Sequence, residues 1–303
     1  MTVIPLLPPI VLAAAAQPYQ ISVNVDLVVL QATVRDGKGR LAPDLREQDF
    51  AVYEDGVRQS IQVFRHEDIP VTVGLVVDHS GSMRSKLREV IAAAQTFVRA
   101  SSPADEMFVV NFNEQVSLGL PAVMRFTNVA DELARAISKA PTTGKTALYD
   151  AVVEAQVRLR GGGREKKVLI VISDGGDNAS SHSLAEVLKI AGESNAVVYT
   201  IGIFDDQDAD RNPAVLRRLA RTTGGEAFFP KELTEVVAIC DSIARDIRSQ
   251  YTLGYLSSNP ARPGAWRAIR MAAQTGGKGK LMVRTRSGYF AGESRPHKDE
   301  PSK

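Results

Sequence analysis

Cysteine is nearly absent from this sequence: Cys240 is the only one. That excludes an internal disulfide and any zinc site built on cysteine pairs. An excess of one charge is missing too, since 37 Lys+Arg face 35 Asp+Glu for a net +2. A dedicated nucleic-acid binder, which must neutralise many phosphates, needs more than that. The apolar run Val3 to Ala16 falls short of the ~20 residues that a membrane-crossing helix requires, so no transmembrane span is expected. No internal repeat is visible. What is present looks globular: hydrophobic residues make up 44% and charged residues 24% of the chain, which excludes wholesale disorder, collagen and coiled coil. At about 150 residues per domain, the 303 residues suggest two domains with a substantial core.

The first segment stands apart. Val3 to Ala16 ends in Ala14-Ala15-Ala16 before Gln17, which reads as a signal peptide with a small-residue cleavage site and an extracytoplasmic, periplasmic or secreted, destination. From Ile21 the pattern alternates, changes phase near Leu30 and resumes at Ala32 and Val34, which predicts a bulged strand. Phe50 and Val52, the turn Glu54-Asp55-Gly56, then Ile61 and Val63 read as a hairpin, because Asp-Gly tolerates the positive φ of a tight turn. With only about four strands, this unit cannot cover both of its faces alone.

At Val71 the character changes to strand–helix alternation. The apolar run Val71 to Val77 predicts a strand buried on both faces. Met107 to Phe112, Val168 to Ile172 and Val197 to Ile203 repeat it, with helical patterns between them, the last from Leu233 to Arg248. Such crossovers build a mostly parallel sheet with helices on both faces. Period two returns over residues 251–290, predicted to complete the first β unit. Residues 257–303 hold ten Lys+Arg against three Asp+Glu, read as a solvated basic sheet face rather than a binding patch. The expected organisation is a signal peptide or linker (1–18), a β domain in two parts (19–69 and 251–291), an α/β domain inserted between them (70–250), and a loose tail (292–303).

The informative segment is Asp78-His79-Ser80-Gly81-Ser82-Met83, where the first α/β strand hands over to its helix. Ligand sites of open α/β sheets lie outside such strand ends. Asp78, Ser80 and Ser82 can converge as one carboxylate and two hydroxyls, hard oxygen donors suited to Mg²⁺; the alternative is a helix N-cap without any metal. The segment Thr142 to Asp150, opening another helix, and the buried strand Val168 to Asp174, ending in a carboxylate, bring further oxygens to the same edge. Asp150 and Asp177 are read as supporting or capping groups, and His79 as a loop residue, imidazole being a poor match for Mg²⁺.

At this point the chain resembles the von Willebrand factor type A (VWA) domain. Asp78-x-Ser80-x-Ser82, Thr146 in TALYDA and Asp174 in SDG match its metal-ion-dependent adhesion site, in order and over about residues 70–250. The segment Gln48 to Gly56 and the closing QYTLGY and SGYF look like the VWA-related proteins abundant in Acidobacteria. The resemblance implies a Rossmann-like α/β VWA domain inserted in a discontinuous, small β-sandwich-like domain. It implies Mg²⁺ (or Mn²⁺) held by Asp78, Ser80, Ser82, Thr146 and Asp174, no catalytic residues, and a protein partner whose acidic side chain supplies the last oxygen. Two alternatives are a Mg²⁺-dependent hydrolase using Asp78 and a subunit partnering a AAA+ ATPase. Other motifs fail on context. Gly144-Lys145-Thr146 lacks the first P-loop glycine, Lys139 standing there; Gly161-Gly162-Gly163 precedes a strand instead of following one; and Ser80 lacks the G-x-S-x-G elbow of a serine hydrolase.

Overall fold

The computed structural model describes residues 27–204, 211–259, 264–276 and 280–291. The expected signal segment and the tail from Gly292 lie outside the described residues. The central strand is β5 (Val71–Asp78), buried along its whole length as its unbroken apolar run requires. Around it stand β6 (Glu106–Phe112), β8 (Lys166–Ser173), β9 (Val197–Gly202) and β10 (Ala227–Phe228), all parallel, with a short antiparallel edge strand, β7 (Val116–Leu118). The spatial order is β10-β9-β8-β5-β6-β7. One helical layer joins α1 (Leu87–Ala100) to α2 (Ala130–Ser138) and α6 (Glu235–Arg248). The other joins α4 (Leu184–Glu193) to α3 (Leu148–Arg160) and α5 (Pro213–Thr223). Cys240 is buried in the core, as its helical apolar pattern predicts.

The other strands form two four-stranded antiparallel sheets. The first combines β1 (Leu27–Arg35) and β4 (Ile61–Arg65) with β11 (Tyr251–Leu256) and β13 (Met282–Arg284). The second combines β2 (Phe50–Glu54) and β3 (Val57–Gln59) with β12 (Trp266–Ala273) and β14 (Gly288–Phe290). Leu30, Ala32, Phe50 and Val52 share one core with Tyr251, Leu253, Ile269 and Met271. The two halves of sequence are thus interleaved in a single sandwich.

Three expectations need correction. The bulge expected near Leu30 is not there: β1 pairs with β11 without interruption from Leu27 to Ala32, and Leu30 points into the core. The irregularity falls instead at Gly254/Tyr255, where β11 meets β4. The Asp55-Gly56 turn does form, with φ of 47° and 84°, but its return strand is Val57–Gln59. Ile61–Arg65 crosses to the facing sheet, because its apolar residues are needed beside Phe50 and Tyr251. Finally, the basic C-terminal segment is only in part a solvated face: among its described residues Arg270 and Lys280 are exposed, whereas Arg267 and Arg286 are buried. Arg267 is buried against Glu54 at 2.5 Å, where Ser257, Tyr255 and Tyr289 also bond the carboxylate. Arg284 and Arg286 are spent on the α/β unit.

That junction is polar and closely fitted. Asp246, near the end of α6, is 1% exposed and accepts Arg35 Nη2 at 2.5 Å and Arg284 Nη2 at 2.6 Å. Arg286 donates to the carbonyl of Gly192, and Gln250 Nε2 donates to Tyr199 Oη at 3.1 Å. Gly224, which ends α5 at φ 85°, leaves no space for a side chain: a Cβ there would lie 2.5 Å from the backbone nitrogen of Arg286. Arg248 Nη1 holds Asp68 Oδ1 at 2.7 Å, tying the chain into the α/β unit to the chain leaving it.

Candidate metal centre

Asp78 is the last residue of β5 and Asp174 follows the last residue of the neighbouring β8, so parallel pairing alone brings both carboxylates to one sheet edge. Ser82 Oγ donates to Asp174 Oδ2 at 2.6 Å and lies 3.1 Å from Ser80 Oγ. Asp78 accepts Ser80 N at 2.8 Å and Ser173 Oγ at 2.6 Å. Four of the five expected residues therefore form one connected cluster. Thr146 arrives on a separate loop seated against the first: Thr143 N donates to His79 O at 2.9 Å and Gly81 N to Gly144 O at 3.3 Å. Its backbone N–H is fixed by Asn178 Oδ1 at 2.9 Å, and its hydroxyl has no hydrogen-bond partner among the described residues.

Ser80 precedes a short 3₁₀ turn, Gly81–Met83, and makes no side-chain cap; α1 starts only at Leu87, also without one. The hydroxyls are therefore not used by a helix terminus. At α3 the exposed N–H of Tyr149 is met by Asp177 Oδ2 at 2.9 Å, and Asp150 binds the backbone of Ser181 and His182. Both acids brace loops, as expected. His79 turns away from the cluster, its Nε2 3.2 Å from Asn111 Oδ1, and burial holds its pKa below the usual histidine value.

Burial raises the Asp78 carboxyl to about 6, and the nearby charge of Asp174 pushes in the same direction. Among the described residues neither acid has a Lys or Arg ion partner. Two carboxylates without a counter-charge, linked through hydroxyls, suit a hard divalent cation. No group of three or more His, Cys, Asp or Glu arranged for a metal occurs among the described residues; the donor set here is carboxylate and hydroxyl oxygen. Sequence reasoning missed Ser173 and Asn178, which position Asp78 and the Thr146 loop. Ser173 carries a signal: a hydroxyl at the end of an otherwise apolar buried strand.

The family model of the von Willebrand factor type A domain matches residues 72–241. Among solved structures, the chain is similar to a von Willebrand factor type A protein from Catenulispora acidiphila, with 14% identity over 90% of this chain and 76% of that one, at a TM-score of 0.53. It is also similar to proximal thread matrix protein 1 of the mussel byssus with a zinc-occupied MIDAS motif, at 14% identity and a TM-score of 0.52. That likeness covers 64% of this chain and 49% of the mussel protein's length. At such identities the likeness shows the fold alone. No curated protein matches the chain.

Proposed function

Because the chain belongs to the von Willebrand factor type A domain family, we propose that it is a metal-dependent protein-interaction module acting outside the cytoplasm. Asp78, Ser80, Ser82, Thr146 and Asp174 would hold Mg²⁺ or Mn²⁺, and an acidic side chain of the partner would complete the coordination. The observation that carries this reading is the hydroxyl line from Ser80 through Ser82 to Asp174, poised beside a buried Asp78. When bound, the cation supplies a positive centre that two carboxylates neutralise at most once over, so an incoming acid gains charge-assisted attraction. The protein's part is to hold the oxygens still: Ser173 and the Ser80 N–H fix Asp78, and the Gly176 N–H fixes Asp174 at 3.0 Å. The zinc held by the mussel protein of the same fold makes zinc a third ion to test.

Calorimetry of metal-stripped protein with Mg²⁺, Mn²⁺ and Zn²⁺ tests the site. The parent should bind at least one ion and Asp78→Ala none; equal binding by both would mean that the site is misassigned. Pull-down from envelope extract should recover a partner in Mg²⁺ but not in EDTA. Thr146→Ala should weaken that capture while leaving the melting curve unchanged, because its hydroxyl bonds nothing among the described residues. Capture that survives both EDTA and Thr146→Ala would refute the mechanism.

A further inference from the structure

The edge strand β7 lies two strands from β5 in the sheet that carries the metal centre, and one of its sides is unpaired among the described residues. Its turn reaches the Thr146 loop: Ala147 N donates to Asn113 O at 2.7 Å and Lys145 N to Glu114 Oε2 at 3.0 Å. Gly119 N bonds Val109 O and Asn113 N bonds Gln115 O. In an antiparallel ladder, where bonded and non-bonded pairs alternate, this phase makes Asn111/Ser117 the bonded pair. The N–H and C=O of Val116 and Leu118 therefore face away from β6 and have no partner among the described residues. Leu118 is 36% exposed. At its lower end the edge meets the outward excursion of Pro121 to Phe126, where Leu120, Pro121 and Met124 line a cavity of about 290 Å³ against α2. Arg135 on α2 and Lys139 at its C-cap, about one helical turn apart, also line it. Neither has an ion pair among the described residues; Glu132, which lines the same cavity, accepts Thr127 Oγ1 and keeps its charge, so the two cations outnumber one acid there.

We propose that the partner docks here as an extended acidic segment, adding a short strand to β7. One of its apolar side chains fills the cavity below, and its acids meet Arg135 and Lys139. Backbone pairing would supply affinity and the cavity would read the side chain, as in β-strand addition generally. An added strand would lie three strand spacings from β5, on the order of 14 Å. The partner's chain can therefore turn at the Asn113–Gln115 corner and bring one more acid toward Asp78. The identity of this partner with the metal-site ligand rests on the function proposed above; the strand pairing does not.

Phage-displayed random peptides selected on the full chain in Mg²⁺ provide the test, with the winning peptide, fluorescently labelled, as the probe. Its binding should slow amide exchange at Val116 and Leu118. Leu118→Pro removes an N–H that no β6 residue uses, and edge strands tolerate proline there, so the fold and the Mg²⁺ titration should be unchanged. Peptide affinity should nevertheless fall at least about tenfold. Reversal of both cations, Arg135→Glu with Lys139→Glu on an exposed helix face, should weaken binding comparably. A selected peptide that leaves Val116 and Leu118 exchange unaltered, or tolerates both variants, overturns the proposal, as does a selection that yields no binder. If Asp78→Ala loses Mg²⁺ but keeps the peptide with those amides protected, the edge site stands and the shared-ligand reading fails.

Discussion

Asp78 shows what a carboxyl group costs when water is removed from it. Its ordinary value of 3.8 rises to about 6 in the fold, so over that interval the folded state holds a proton that the unfolded chain has released. Linkage then gives the sign: in metal-free protein this residue makes stability fall as pH rises from about 4 to about 6, by roughly 3 kcal/mol in all. Urea unfolding in EDTA across that range should show the decline in the parent and not in Asp78→Asn; superimposable profiles would mean that the residue is not so buried. The same proton competes with a bound cation. Apparent Mg²⁺ affinity should therefore weaken as pH falls below about 6, and calorimetry at a series of pH values measures it directly.

At the scale of elements, the loop that carries Thr146 is held by acids from a neighbouring strand end. Asp177 meets the N–H of Tyr149 at the start of α3 and also accepts Ser180 Oγ at 2.6 Å. Asp177→Ala should cost about 1 kcal/mol in thermal or chemical unfolding, the size of a lost cap, and should lower metal affinity because Thr146 loses its support. Unchanged affinity would show that Asp177 is not needed to position Thr146. Elements like β5 and β8 were legible in the sequence because each is a continuous apolar run that only a doubly covered strand needs. The place of the candidate site was legible because polar residues beside those runs mark strand ends and loop starts, whereas the choice of Thr146 among the threonines of its segment came from the family resemblance. Other features depend on partners far away in the chain. Val116–Leu118 is too short to show a period, and it is a strand only because β6 pairs with it. Ile61–Arg65 alternates as a hairpin arm would, yet joins the opposite sheet. Arg267 and Arg286 look like surface charge until Glu54 and the Gly192 carbonyl come into contact with them.

For the whole molecule, the junction between sandwich and α/β unit decides whether the two behave as one body. Asp246 is buried between Arg35 and Arg284, and removing one member of a buried ionic group costs about 3–5 kcal/mol because the others remain unpaired. Asp246→Ala should lower urea stability by that order, within one cooperative transition if the units are coupled. A split into two transitions would show that the junction only joins neighbours. Truncation after Gln250 removes β11 to β14, leaves the apolar face of β1 and β2 uncovered, and should aggregate in light scattering; a soluble monomer with the parent's melting curve would mean that the two stretches are independent. The interleaving also sets an order of events during folding. Tyr251 Oη donates to the carbonyl of Ala42 across 209 positions of sequence. Contacts so distant are slow to find, since the ends of a long loop must first meet. Collapse of the α/β unit shortens that search, because the Arg248–Asp68 pair leaves the strands on either side of it as near neighbours. The inserted unit is in this sense the template on which the surrounding sandwich closes, and a newly made chain cannot finish the pairing of β1 until Arg284 has been synthesised.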